Sequence, residues 1–181
     1  MHPIVLHTER LVLRGFTRAD IAAVHAACQD PAIQRWTTVP SPYRLADAES
    51  FVTDIAPRGW STGEDMPFAV TRDGALLGAA GLHRRGRDPG IAEVGFWCAA
   101  ESRGQGYVTE AVREIARWAF EDLGVQRLEW YAEVGNTSSR RVAEKLGFSV
   151  EGLLRKFLLH RGDRVDGWVA SLLPGELVES P

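Results

Sequence analysis

The stretch Arg103-Gly-Gln-Gly-Tyr-Val-Thr-Glu-Ala111 joins an apolar run, Ile91 to Ala99, to a run with helical spacing. Gly104 and Gly106 can take positive φ at little cost and carry no Cβ, so consecutive backbone N–H groups can converge on an anion. A helix starting there would add its free N–H groups and its positive dipole end. Arg103 adds a cation at the rim, and a diphosphate is the natural guest. The same glycines also suit a plain turn that packs a strand on a helix, and the stretch alone leaves both readings open. Two other phosphate motifs fit less well. No G-K-[ST] is present, and Thr109 stands where a dinucleotide fold needs its third glycine. No acidic residue closes a second strand at the offset that NAD binding requires.

Three kinds of element must position this loop. Ahead of it, Thr8 to Phe16 alternates around Leu11 and Leu13 as a half-buried strand does, and Thr17 with Asp20 starts a helix whose face is Ile21, Val24, Ala27 and Cys28. Ala46 to Ile55 gives a further apolar helix face, whereas Pro57 to Pro67 is polar and reads as a loop. Trp36, Tyr43 and Trp60 lie in or beside irregular segments, where aromatics either wall a pocket or cover the core. Trp36 and Trp60 are the candidate acceptor-binding side chains.

Phe68 to Thr71, Asp73-Gly74 and Leu76 to Leu82 form a hairpin signal with a type I′ turn. Arg84 to Gly90 is a longer turn into Ile91 to Cys98, giving three successive antiparallel strands. Its arginines, Arg84, Arg85 and Arg87, suit a solvated turn. After the glycine loop, Val108, Ala111, Val112, Ile115 and Ala119 make one apolar stripe, with Glu110–Arg113 and Glu114–Arg117 spaced to pair. Arg127 to Ala132 reads as a strand, Asn136 to Leu146 as a helix ended by Gly147, and Ser149 to Leu173 as a closing hairpin. Strands first, then strand–helix–strand–helix–strand, predict an α/β (α+β mixed) fold: a mixed sheet with helices on its faces.

The 181 residues suit a single domain, 1–181, that buries roughly 70% of its unfolded surface. A net charge of −3 offers no basic field for nucleic acid or an anionic membrane. Two cysteines, Cys28 and Cys98, form no disulfide framework, and no secretory or membrane-spanning run is present, so the expected place is the cytoplasm. Five scattered histidines give no metal motif, and no metal is expected. Trp118 and Phe120 flank the stripe and leave monomer or homodimer open.

Five motifs in register then carry a resemblance. They are Thr8-Glu-Arg-Leu-Val-Leu-Arg14, Glu93-Val-Gly-Phe-Trp97, Arg103 to Ala111, Asn136-x-x-Ser139 with Glu144-Lys-Leu-Gly-Phe148, and Glu151-Gly-Leu-Leu-Arg155. Together they cover nearly the whole chain and resemble the GNAT superfamily of acyl-CoA-dependent N-acyltransferases, nearest its RimJ/RimL-like branch. The resemblance implies a central, mostly antiparallel sheet that splays in the middle to admit the cofactor, with helices on both faces. It implies that acetyl-CoA is held by the loop residues Arg103, Gly104, Gln105, Gly106, Tyr107, Val108 and Thr109. Phe96, Trp97 and Cys98 would line the strand edge, and Asn136 and Ser139 would lie beside the pantetheine and thioester.

Two residues depart from the family pattern. Val108 replaces a smaller residue, which would tighten the site without blocking contacts made by the backbone. Ala143 stands where many members place a tyrosine that protonates the departing thiolate, so Ser139 or a water must act, or the thiolate leaves unprotonated. Acyl transfer to an amine also needs a proton acceptor. Glu93 is the first candidate and Glu133 the second. A rival route through an acyl-cysteine would need Cys98 beside His83.

The expected activity is acetyl transfer from acetyl-CoA to a primary amine by direct attack, the acceptor being a protein N-terminus or a small molecule. The alternatives are another acyl-CoA, such as succinyl-CoA, or a non-catalytic acyl-CoA-binding regulatory module.

Overall fold

The computed structural model describes residues 1–84, 86 and 88–179. Arg85 and Arg87, two cations of the long turn, lie outside them. Eight strands form one sheet in the order β1-β2-β3-β4-β5-β6-β8-β7. They are β1 (Leu6–His7), β2 (Val12–Arg14), β3 (Asp65–Arg72), β4 (Ala75–His83), β5 (Ile91–Cys98), β6 (Arg127–Glu133), β7 (Ser149–His160) and β8 (Asp163–Leu172). Neighbours are antiparallel except β5 and β6, which run parallel. The β3–β4 hairpin turns at Asp73 and Gly74, both at positive φ (51° and 82°), as a type I′ turn demands.

That parallel pair is short. Ile91, Ala92 and Glu93 face Arg127, Leu128 and Glu129. Beyond Glu93, β5 continues to Cys98 paired with β4, and β6 continues to Glu133 paired with β8. The sheet therefore parts in its middle, as the resemblance implied.

Helices cover both faces. On one, α5 (Tyr107–Glu121) buries Val108, Ala111, Val112, Ile115 and Ala119 against alternate strand residues, including Phe68, Leu82, Val94, Leu128 and Trp130. α6 (Thr137–Leu146) adds Ala143 and Leu146 to this core. Trp118, on α5, packs within it against Trp60 and Phe68, at centroid distances of 6.0 and 5.5 Å. On the other face, α1 (Ile21–Ala27), α2 (Pro31–Trp36) and α3 (Leu45–Ser50) surround Val24, Cys28, Ile33, Tyr43, Ala48 and Val52. Trp97 packs against that second cluster. Side chains alternate along a strand, so Ala92 and Val94 meet α5 while Glu93 and Trp97 face the other way.

Local chemistry explains most boundaries. Thr17 opens the helix as expected, but its hydroxyl does not cap an amide: its N–H and hydroxyl both donate to Asp20, at 2.7 and 3.0 Å, and Asp20 also receives a two-pronged bond from Arg14 at 2.7 and 2.8 Å. Asp30 caps α2, accepting from Ile33 N at 2.9 Å, with Pro31 at the first helical position.

Two expectations fail. Pro57 to Pro67 is not a loop: a π-helical turn, Phe51–Ile55, runs straight into α4 (Ala56–Thr62), and Asp65 to Pro67 already belong to β3. Proline is tolerated in a first helical turn, Gly63 at φ 73° ends the helix, and burial of Trp60 outweighs the polar composition. The Glu110–Arg113 pair does not form either. Glu110 turns to Arg10 and Thr8, and Arg113 donates to Val178 O at 2.8 Å, whereas Glu114 and Arg117 do pair.

Candidate active site

The glycine loop leaves β5 through a 3₁₀ turn, Ala100–Ser102, and enters α5 with Gly106 as the N-cap residue. Gly104 and Gly106 sit at φ 76° and 79°, in the left-handed region where other residues are strained. Residues 103–106 are exposed, while Tyr107 and Val108 turn their side chains into the core. Among the described residues, no amide from Gly104 to Thr109 donates to another protein group. A Cβ on Gly104 would meet nothing within 4 Å. Open amides, left-handed glycines and a helix N-terminus together fit a diphosphate. Because its side chain is buried, Val108 leaves the loop's open side unobstructed.

Arg103 holds to the protein. Its guanidinium pairs with Asp30 at 2.7 Å and donates to Cys98 O at 3.2 Å, and the bond keeps the Asp30 carboxyl below its usual range. The cation expected at the phosphate rim thus ties the end of β5 to the start of α2.

Where β5 leaves β6, Glu93 is 9% exposed at the base of the gap. Period-two alternation places it on the same face as Glu129, Tyr131 and Glu133 of β6. The Tyr131 hydroxyl donates to Glu129 at 2.9 Å. Burial first, and that bond second, push the phenol up to about 12. Glu133 is held from both oxygens by Arg35, at 2.8 and 2.5 Å, and this bond keeps its carboxyl below the usual range. A carboxylate so neutralised is a weak proton acceptor, which leaves Glu93 the better placed of the two candidates. Arg35 stacks over the Trp36 ring at 4.1 Å, and Trp36 lies 3.5 Å from the position a Cβ on Gly135 would take. Trp36 therefore borders the end of β6, as an acceptor wall would.

Ser139 lies across the sheet. Its amide donates to the capping Asn136 side chain at 3.2 Å, and its Oγ accepts from Trp130 Nε1 at 3.0 Å. Trp130 belongs to the α5 face, so Ser139 and Glu93 lie on opposite sides of the parted strands. Indole N–H can only donate. The Ser139 hydroxyl proton is consequently not used in that bond. Phe96 and Cys98 pack toward α5 and Trp97 toward α1–α3, so these three expected cofactor residues bracket the open edge of β5. Ala143 is 1% exposed in the core and offers no proton there.

Two expectations are corrected. Trp60 is 1% exposed, donates to Pro67 O at 2.9 Å and lies edge-on to Phe68, so it builds core and does not meet an acceptor. The Cys98–His83 route is ruled out by register: His83 pairs with Glu93 and Cys98 with Gly78, five residues along the ladder, about 17 Å apart. Burial also raises the Cys98 thiol, which weakens it as a nucleophile. Sequence reasoning missed Arg10, Glu129, Trp130 and Tyr131. Strand register, which brings Glu129 beside Glu93, was the signal that would have found Glu129; the same register sets His83, named earlier only with Cys98, across from Glu93.

None of the helices among the described residues is long and apolar enough to cross a membrane, and no three metal-ligating side chains converge among them. Residues 10–149 match the model of the acetyltransferase (GNAT) domain. The chain is 40% identical over 134 residues to the candidate ribosomal N-acetyltransferase YdaF of Bacillus subtilis, covering 72% of this chain and 73% of that protein. The structure of a candidate ribosomal-protein-serine acetyltransferase from Vibrio cholerae superposes with a TM-score of 0.86 at 26% identity, over 96% of this chain and 100% of that one. Mycobacterium smegmatis RimJ, solved with CoA-disulfide, gives 0.84 at 25% identity, over 99% and 93% of the two chains.

Proposed function

Because this chain belongs to the GNAT acetyltransferase family, we propose that it moves an acetyl group from acetyl-CoA to the primary amine at the N-terminus of a ribosomal protein, by direct attack. The observation that carries this reading is the parted β5–β6 pair, with open amides behind it on one side and a carboxylate-rich face on the other. The names of the relatives above support the ribosomal acceptor, and the CoA-disulfide of RimJ supports the donor. Acetyl-CoA supplies the activated thioester.

The chain's own residues divide the remaining work. Amides of Gly104 to Thr109 bind the diphosphate, with the α5 dipole behind them. The β5 edge from Gly95 to Cys98, released from β6, gives N–H groups for the pantetheine and the thioester carbonyl. Glu93 takes the amine proton at the base of the gap. Ser139 Oγ donates to the departing thiolate, while the first turn of α6 favours negative charge beside it. Glu133, fixed by Arg35, shapes the acceptor face together with Trp36. A ribosomal acceptor also places the protein in the cytoplasm.

Ala143, with no donor at that position, favours a second reading: a regulatory module that binds acyl-CoA without turnover. One experiment tests both. Acetyl-CoA or succinyl-CoA is incubated with the protein and either ribosomal-protein N-terminal peptides or small amines. Free thiol is measured and products are read by mass spectrometry. Acetylated peptide α-amines are expected. CoA binding with no thiol release across all acceptors would leave the binding module, and acylation of small amines alone would remove the ribosomal acceptor.

A further inference from the structure

Arg10 lies 95 residues from Gln105 in sequence, yet its Nη1 donates to the Gln105 carbonyl at 3.2 Å. Its other contacts fix where the guanidinium sits. Nε donates to Glu110 Oε2 at 2.6 Å, the Arg10 backbone N–H donates to Oε1 at 3.0 Å, and the guanidinium covers the Tyr107 ring at 4.8 Å. Burial of the Glu110 carboxyl opposes ionisation, but its bonds from Thr8 and Arg10 outweigh that and hold it below its usual range. The ion pair alone would anchor the N-terminal segment to α5. The bond to Gln105 does something else, because that carbonyl is exposed and on the loop.

A trans peptide is planar, with C=O and N–H pointing opposite ways. The 105–106 peptide is followed by a glycine at φ 79°, and glycine tolerates either orientation of the preceding peptide plane at little cost. Something must therefore choose the orientation. Resting on the acyl-CoA reading above, we propose that Arg10 is a positioning residue for the diphosphate cradle. By holding the Gln105 carbonyl toward the N-terminal segment, it aims the Gly106 N–H away from that segment and into the cradle. Arg10 Nη2 lies 3.5 Å from the position of a Cβ on Gly106, so the guanidinium occupies the loop's protein side.

The test separates ligands that reach the cradle from ligands that do not. Full-length wild type, Arg10→Gln and Arg10→Lys are titrated with CoA by calorimetry and with pantetheine, which lacks the diphosphate, by ligand-observed NMR. Arg10→Gln is expected to weaken CoA about tenfold or more, as loss of a charge-assisted bond does, with pantetheine unchanged. Arg10→Lys keeps the charge but not the planar fork that reaches Glu110 and Gln105 together, so a loss confined to CoA is expected there too. Full CoA affinity in Arg10→Lys would show that a point charge suffices and overturn the proposal. Equal losses for both ligands, or collapse of both variants, would overturn it in favour of a purely structural role. Wild type that fails to bind CoA would remove the acyl-CoA reading itself, whereas wild-type binding with unaltered variants removes the positioning role alone.

Discussion

At position 106 the backbone needs a conformation that side chains resist, and the amides beside it need an unobstructed approach. Gly106→Val meets no hard obstacle, since the nearest atom to its Cβ would be Arg10 Nη2 at 3.5 Å, but φ 79° costs a β-branched residue about 1–2 kcal/mol or more. The variant is expected to fold, melt lower and bind CoA at least about tenfold more weakly by calorimetry, tenfold being about 1.4 kcal/mol. Unchanged affinity would take the diphosphate away from this loop. The two carboxylates separate by environment. Glu93→Gln is expected to lower kcat by about 10²–10⁴ with the KM for acetyl-CoA unmoved, the range for a lost general base. Glu133→Gln should leave kcat within a few-fold, because Arg35 already occupies both of its oxygens. The loop residues were legible in the sequence because glycine chemistry is local. Glu133's neutralisation was not, because Arg35 lies 98 residues away.

Elements followed their periodicities where one face is buried. The apolar stripe of α5 appears as its spacing predicts, and the stretch read as a strand from Arg127 is β6, whose side chains alternate between buried and half-buried. α4 was hidden because two glycines and two prolines within residues 57–67 resemble a loop, and the burial of Trp60 that decides the matter is a tertiary fact. The β6, β8 and β7 strands are laced by one carboxylate: Glu151 accepts from Arg127 at 2.9 and 2.6 Å and from Ser171 at 2.6 Å. Arg127 first and Ser171 second hold this carboxyl down to about 2. A carboxyl depressed in the folded state stabilises fully above its unfolded value of about 4.3, and that contribution fades as pH falls through about 2. Urea midpoints of wild type and Glu151→Gln should therefore differ at pH 6 and converge near pH 2. The gap should be modest, because the Glu151 side chain is 41% exposed. A difference that persists at pH 2 would mean that the stabilisation comes from packing.

Over the whole molecule the sheet parts between β5 and β6, and on the proposed reading this gap is the passage between the cofactor face and the acceptor face. Hydrogen exchange with and without CoA checks this. Protection is expected to rise across residues 94–109, which contain the free edge of β5 and the loop. Residues 91–93, already paired with β6, should change little. Uniform protection of both stretches would mean that the strands are not separate in solution. The sequence by itself determined most of the elements, the glycine loop between β5 and α5 and the family resemblance, since each rests on spacing within a few residues or on motifs in order. Only the tertiary structure decided that Glu93 and Ser139 flank one gap from opposite sides, that Glu133 is neutralised, that Trp60 is core, and that Arg10 reaches the loop. Those facts depend on strand register and on contacts across long stretches of chain, and periodicity along one strand says nothing about which residue stands beside it on the next.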